Sequence, residues 1–495
     1  MMQATFMLGF LLPILASSGI LLLGSRKNLA YSITSFTTIV LFCLSCITFY
    51  QILKHGEVLY HFGGWIPPIG IEFKLSKINS FFVLLVSLVA LLTFVQGRKI
   101  LFYEVEAKKI NVFCAVFLIA VVGFIGVVLT NDFFNLYVFI EVSSIATYAL
   151  VAISKNRASV RAAFYYLIIG TVAATFILVG IGYIYAASGT LNISDFILKL
   201  PLLKDHMSIK LGFVLMLAGL LVKSGLFPLH NWFVQSYSST SAFILPFLSS
   251  TSSKIYMFLV VKLVFMIFGL KFSFEGTNIS IILGTLGVLA MLVGAFAALS
   301  KNNLREILIF SSISQIGYIF IAISIGSKAG IVAAIIFLIS NILAKTSMFI
   351  LSSHIYLSRG SYSISKLYDI KRQIPVAVFL FIINGASIVG VPITVGFVAK
   401  VGLITSLIEG QMWLMLSLVL VSSFMSLLYM WRVVECFLYD KRGRIDSHER
   451  YPAKFTLPRH MTYLSMFSLG AITLVNISCS VFFREFFDFI NKLVS

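Results

Sequence analysis

Charge is what this chain lacks. Only 11% of its 495 residues are charged, with 18 Asp and Glu against 37 Lys and Arg. A soluble domain is about a quarter charged, so a water-facing globular fold is excluded. Cysteine is scarce too. Cys43, Cys46, Cys114, Cys436 and Cys479 sit mostly in apolar runs and suggest no disulfide framework. Cys43-Leu-Ser-Cys46 has the spacing of a redox pair, but inside an apolar segment it reads as packing. No iron–sulfur, haem or zinc spacing occurs, so no cofactor and no metal is expected. Short alternating segments are missing, which argues against a transmembrane barrel. There is no soluble catalytic domain, so any enzymatic chemistry is expected to belong to partner subunits.

What is present is apolar length. Hydrophobic residues make up 59% of the chain, gathered in runs of about 20 residues that suit helices crossing a ~30 Å hydrocarbon layer. Fourteen such runs are predicted, centred near Leu12, Val40, Leu88, Ala120, Val142, Ala173, Leu217, Ile255, Val288, Ala322, Asn341, Val391, Ser422 and Ser468. The net charge of +19 is not a nucleic-acid surface, because the cations lie in short loops between runs. One alternate set of loops is rich, with Arg98, Lys99, Lys155, Arg157, Lys301, Arg305, Lys371 and the group Lys441, Arg442, Arg444, Arg450, Lys454 and Arg459. The other set is sparse, with Lys54, Lys74, Lys77, Lys199, Lys204, Lys210 and Lys271 among its members. The rich side is cytoplasmic by the positive-inside rule. Both termini are then expected on the outer, periplasmic side of a bacterial-type inner membrane. The opening MMQATFMLGFLLP has no basic residue and reads as an uncleaved first span.

Six basic residues fall inside the runs: Lys223, Lys254, Lys262, Lys345, Lys400 and Arg432. Each costs roughly 3 kcal/mol at the centre of a lipid-facing helix, about 18 kcal/mol together, beyond the stability of most proteins. They must face protein, water or counter-charge. Glu141 is the deep acid, with Glu435 shallower. Plainer roles exist for some of them. Lys262 and Lys345 can snorkel to the interface, and Arg432 can pair with Glu435 three residues on. Glu141, Lys223, Lys254 and Lys400 lie deeper, and intramembrane ionisable groups are functional candidates.

Two segments combine a lysine with helix breakers. Gly219 to Phe233 reads GLLVKSGLFPLHNWF, and Gly390 to Lys400 reads GVPITVGFVAK. Proline removes a backbone donor and glycine frees the chain, leaving carbonyls that need water or side chains. The segments fall on the seventh and twelfth runs, which cross in opposite directions. Paired broken helices in opposed halves point to a transporter with inverted repeats. Loss of water disfavours a charged lysine, and a nearby carboxylate restores it. Lys223 can thus hold its proton beside charged Glu141 and release it when that partner is lost. Ser249, Ser250, Ser252, Ser253 and His230 can bridge lysines on successive helices.

Five motifs carry a resemblance: DFFNLYVFIEVSSIATYAL around Glu141, KSGLFPLHNW around Lys223, KNNLREILIFSSISQIGY from Lys301, NILAKTSMF around Lys345 and GVPITVGFVAK ending at Lys400. They span roughly residues 110–435 and resemble the antiporter-like membrane subunits shared by respiratory complex I, Mrp-type multisubunit cation/proton antiporters and related membrane hydrogenases. The resemblance implies an all-α polytopic membrane protein of about 14 transmembrane helices. Helices 1–3 would occupy residues 1–100, a first five-helix repeat (helices 4–8) 110–270, an inverted second repeat (helices 9–13) 279–440, and helix 14 with a tail 461–495, helices 7 and 12 being broken.

Carried over, Glu141, Lys223, Lys254 and Lys400 are the proton relay, with His230, Lys345, Ser253 and Asn341 auxiliary. The chain departs from the family pattern at Asn341 and Phe337, where histidines are usual, at Val234-Gln235 after Trp232, in the approach SAFILPFLSSTSSK to Lys254, and at Ile393. Asn341 can hydrogen-bond but cannot take up a proton. Lys400 at the twelfth-helix site resembles the D-type member of Mrp antiporters and the N-type member of complex I. The short C-terminal region is unlike the extended L and A types. The expected function is a proton-translocating subunit of a monovalent cation/proton antiporter, of the D type. The alternatives are a proton-pumping membrane-arm subunit of NADH:quinone oxidoreductase and a largely structural subunit. Expected partners are other membrane subunits of a hetero-oligomer, the lipid bilayer, protons and, for an antiporter, Na⁺ or K⁺.

Overall fold

An apolar run in a bilayer must satisfy its own backbone, and the helix does so within one segment. The computed structural model is accordingly almost all helix. It describes residues 2–22, 26–95, 97–275, 277–368, 370–438 and 463–494. The basic group Lys441, Arg442, Arg444, Arg450, Lys454 and Arg459, and residues 461–462 of the C-terminal segment, lie outside the described residues. The main helices are α1 (Met2–Leu22), α2 (Lys27–His55), α3 (Lys77–Val95), α4 (Ile110–Leu129), α5 (Phe133–Ala152), α6 (Arg157–Ser188), α7 (Met207–Ser224), α8 (Asn231–Ser239) and α9 (Leu245–Val261). They continue with α10 (Ile279–Ser300), α11 (Leu304–Ser324), α12 (Lys328–Arg359), α13 (Pro375–Val389), α14 (Val395–Glu409), α15 (Trp413–Leu438), α16 (Tyr463–Val481) and α17 (Phe483–Val494).

Among the described residues, 12 helices are long and apolar enough to cross a membrane. The pair α16–α17, bent by 93°, makes a thirteenth if counted as one span. The expected twelfth span is split into α13 and α14, each of 15 residues. Val391, its expected centre, falls in the gap. Ala322 ends α11 rather than centring it. The fold class is therefore an all-helical, multi-pass membrane protein, with one addition that the all-α reading did not contain. Val58–His61 (β1) pairs antiparallel with Glu72–Leu75 (β2), setting Val58 against Leu75 and His61 against Glu72. Phe73 anchors this hairpin among Phe6, Phe10, Phe62 and Phe139.

Both helix breaks have the same local cause. α7 stops because Gly225 adopts φ +78°, and its N–H returns to Leu221 and Val222 carbonyls. α13 stops at Gly390, φ +83°, whose N–H returns to Ala386 and Ser387. A left-handed residue suits glycine and closes a helix C-terminus. The chain then restarts as α8 and α14.

Loops group by end as the charge alternation requires. At the sparse end, β2 meets Thr130 and Asp132 meets Asn192. At the basic end, Lys155 N–H reaches the Glu104 carbonyl and Leu304 N–H reaches Tyr362. There, buried Arg305 donates to the Tyr237 carbonyl at 2.9 Å and the Thr240 carbonyl at 2.5 Å, while Glu104 accepts from Ser241 Oγ at 2.7 Å. The core sits on α9, α11 and α12, which are almost wholly enclosed. At the C-terminus, α17 buries Phe486, Ile490 and Leu493 and exposes Arg484, Glu485, Asp488 and Lys492. That two-faced pattern suits a helix lying along a membrane surface.

Candidate functional site

The site begins on α5. Asp132 caps this helix by accepting from Asn135 N–H at 2.7 Å. Glu141 and Ser144 are three apart and so share one helix face, which they turn toward the end of α7. Lys223 Nζ lies 4.0 Å from Glu141 Oε1 and donates to Ser144 Oγ at 2.8 Å. The Lys223 side chain is 3% exposed and that of Glu141 20%. Tyr256 of α9 completes the surroundings. Its hydroxyl lies 3.2 Å from Ser143 Oγ and 3.1 Å from Ser144 Oγ, and its ring lies under the lysine at 5.6 Å. Trp232, stacked on Tyr166, donates to the Val222 carbonyl at 3.1 Å, which also accepts from Gly225 N–H at the break. A small cavity, with room for about one water, opens among Ser144, Tyr148, Tyr166, Lys223, Trp232 and Tyr256.

Lys254 lies on α9, 1% exposed, with Nζ 3.2 Å from Ser253 Oγ and 5.8 Å from the Phe233 ring centre. Helix α9 packs on α12, the helix that carries Lys345. Lys345 is completely buried and donates to the Leu308 carbonyl at 2.9 Å and to Ser311. It does not snorkel. Lys400, one turn into α14, donates to the Val389 carbonyl at 2.6 Å and to Ser423 Oγ at 2.7 Å, 5.2 Å from the Tyr318 ring centre. It meets a carbonyl freed by the second break.

Among the described residues, no carboxylate lies within 4.0 Å of Lys254, Lys345 or Lys400. Buried ammonium groups held by hydroxyls and carbonyls alone are costly to keep charged. Nearby, the hydroxyls of Ser250, Ser314, Tyr318, Ser422 and Tyr429 are buried without a protein hydrogen-bond partner. Buried polar atoms of this kind are what internal water satisfies.

The auxiliary residues divide. Ser253 touches Lys254. Asn341 turns its amide back to the Phe337 carbonyl of its own helix at 2.9 Å. His230 stacks on Phe227 at 5.3 Å in the break after α7, its Nδ1 buried without a hydrogen bond. Two plainer expectations are corrected. Arg432 donates to the Leu299 carbonyl at 2.7 Å and the Lys301 carbonyl at 3.1 Å, closing the end of α10, while Glu435 is exposed. Lys262 is buried and closes the end of α4 through the Val128 and Thr130 carbonyls. A helix end exposes unpaired carbonyls, and those attract a buried cation more strongly than a distant interface. Sequence reading missed Tyr256, Tyr318, Ser311 and Ser423. It missed Ser144 too, the one residue of the site that spacing could have flagged, three positions past Glu141.

The family described as NADH:quinone oxidoreductase/Mrp antiporter, TM, matches residues 130–426, a stretch holding Glu141, Lys223, Lys254, Lys345 and Lys400. The chain belongs to that family. The N subunit of the NADH-quinone oxidoreductase of Desulforudis audaxviator is 33% identical over 386 residues, covering 78% of this chain and 76% of the relative. The D subunit of the Na⁺/H⁺ antiporter of Alkalihalophilus pseudofirmus is 26% identical, covering 96% and 94%. In the solved membrane-bound sulfane sulfur reductase, an archaeal respiratory membrane complex, one chain superposes with TM-score 0.88 at 25% identity, covering 99% of this chain and 97% of that one.

Proposed function

We propose that this family member is a proton-translocating subunit of a multisubunit monovalent cation/proton antiporter, of the D type. The observation that carries the reading is the contact between Glu141 and Lys223 at a broken helix, continued by lysines without counter-charge along the enclosed helices. Lys223 keeps its proton while charged Glu141 lies beside it. When Glu141 is neutralised or moves, the proton passes by water and the hydroxyls of Ser144, Tyr256 and Ser253 to Lys254, then to Lys345 and Lys400. His230 and Asn341 hold water along the route. The near full-length likeness to an antiporter's D subunit supports this assignment. The higher identity to an N subunit over a shorter stretch supports a second reading, a proton-pumping membrane-arm subunit of NADH:quinone oxidoreductase.

We also infer that residues 110–270 and 279–440 are inverted repeats, each with one glycine-terminated break. Residues 1–100 and 461–495 flank them. The termini face the periplasmic side of an inner membrane, and other membrane subunits complete the assembly.

The test is exchange in vesicles holding the assembled complex, with Lys223 intact or changed to alanine. Lys223→Ala is expected to abolish cation-dependent proton movement while assembly stays normal. Unchanged exchange would favour a structural subunit.

A further inference from the structure

Lys262 lies eight residues beyond Lys254, about 12 Å further along the helix axis toward the sparse end. Here α9 gives way to a π-helical segment, Lys262–Ile267; such bulges recur at functional sites. Lys262 Nζ donates to the Thr130 carbonyl at 3.1 Å. The next residue, Asn131, joins this point to a second polar cluster. Its Nδ2 donates to Glu72 Oε1 and to Ser194 Oγ at 2.8 Å, and its backbone N–H reaches the Glu72 carbonyl at 3.0 Å. Glu72 is a buried acid on β2, its side chain 5% exposed. Its second oxygen, Oε2, faces His61 Nδ1 at 3.5 Å across the hairpin. That Nδ1 is buried and makes no hydrogen bond, whereas the His61 side chain is 31% exposed.

We propose that Lys262, Glu72 and His61 form a proton-transfer site connecting the lysine seam to the aqueous side at the sparse end of the first half. The inference rests on the proton-translocating reading above. A structural brace for the hairpin explains the Asn131 bond but not the rest. It leaves Glu72 Oε2 aimed at a titratable ring that reaches solvent. Lys74, the nearby cation on β2, is already paired with Glu57 at 3.1 Å.

In outward transfer the Lys262 ammonium gives a proton through water at Thr130–Asn131 to the Glu72 carboxylate. The neutral carboxyl passes it to His61 Nδ1. The imidazolium turns about its Cβ–Cγ bond, releases that proton from Nδ1 to solution and turns back, so that Nε2 keeps its hydrogen and Nδ1 is again free to accept. Lys262 is reprotonated from Lys254. Inward transfer runs the same steps backwards.

The experiment measures exchange in vesicles of the assembled complex carrying Glu72→Gln, His61→Ala or Lys223→Ala. Positioned proton-transfer groups contribute about 100-fold or more, so Glu72→Gln and His61→Ala are expected to slow exchange at least about tenfold. Imidazole supplied on the hairpin side should restore His61→Ala but not Glu72→Gln. A merely structural histidine is not rescued by imidazole. Wild-type exchange in both hairpin variants, or a His61→Ala loss that imidazole leaves unchanged, overturns the proposal. If Glu72→Gln does not assemble, His61→Ala decides alone. Wild-type exchange in Lys223→Ala sinks the underlying reading instead, so the two failures are distinct.

Discussion

Replacing Glu141 by glutamine removes the carboxylate beside Lys223 while keeping size and hydrogen bonding. The two charged atoms are 4.0 Å apart. At that distance a unit pair is worth about 4 kcal/mol at an effective dielectric of 20 and about 1 kcal/mol in bulk water. Lys223 is buried and Glu141 one-fifth exposed, so the value lies between these limits. A loss of 1–4 kcal/mol lowers the ratio of protonated to neutral Lys223 roughly 5- to 800-fold at fixed pH, and with it the protonated population wherever the neutral form is favoured. If that population feeds transport, Glu141→Gln should slow proton uptake about tenfold or more. The assay is dequenching of a pH-sensitive dye in everted vesicles, normalised to assembled complex on a native gel. Glu141→Asp, which keeps the charge but withdraws it by one methylene, should fall in between. Uptake within twofold of wild type in assembled Glu141→Gln would refute the reasoning, because the pair would then have no part in the cycle.

Three further outcomes follow from other contacts. Lys345→Met removes a fully buried cation while filling its volume. A buried charge without a counter-charge is costly, so the melting temperature in detergent should hold or rise while exchange falls. Gly390→Ala would place a Cβ 2.6 Å from Lys400 Cδ at φ +83°. Exchange should therefore fall beyond the ~1–2 kcal/mol strain of a left-handed alanine, whereas Gly189→Ala, φ +67° with open space around it, should show only that strain in a thermal melt. At the basic end, burial pushes the Glu104 carboxyl up from its ordinary 4.5, against weaker opposing pulls from Ser241, Arg305 and Phe243. The folded chain thus holds this proton more tightly than the unfolded one. Its contribution to stability is full below about pH 4.5 and is lost as pH rises through the elevated folded value. Glu104→Gln should flatten that part of the stability-versus-pH curve, measured by thermal unfolding.

The spans were legible because apolar run length has one common solution in a bilayer. The breaks were legible because Gly225, Pro228 and Gly390 leave the chain little choice. Positions of single cations were less so. Arg432 looked like a partner for Glu435, yet it closes the end of α10, some 130 residues away in sequence. Lys262 and Lys345 looked able to reach an interface, but the enclosure of their helices could not be read from hydropathy. The hairpin escaped because VLYH and EFKL are four-residue segments between two long spans. The rings of Tyr256 and Tyr318 lie beside the lysines through contacts between distant helices, and no local spacing encodes those.

The most direct test of the central claim is proton flux through Lys254→Met in vesicles of the intact complex. Lys254 sits between the Glu141–Lys223 pair and Lys345, with no carboxylate of its own within reach. Flux is expected to fall about tenfold or more while assembly and melting temperature stay at wild-type values. Wild-type flux in that variant would mean that protons do not travel along the buried lysines.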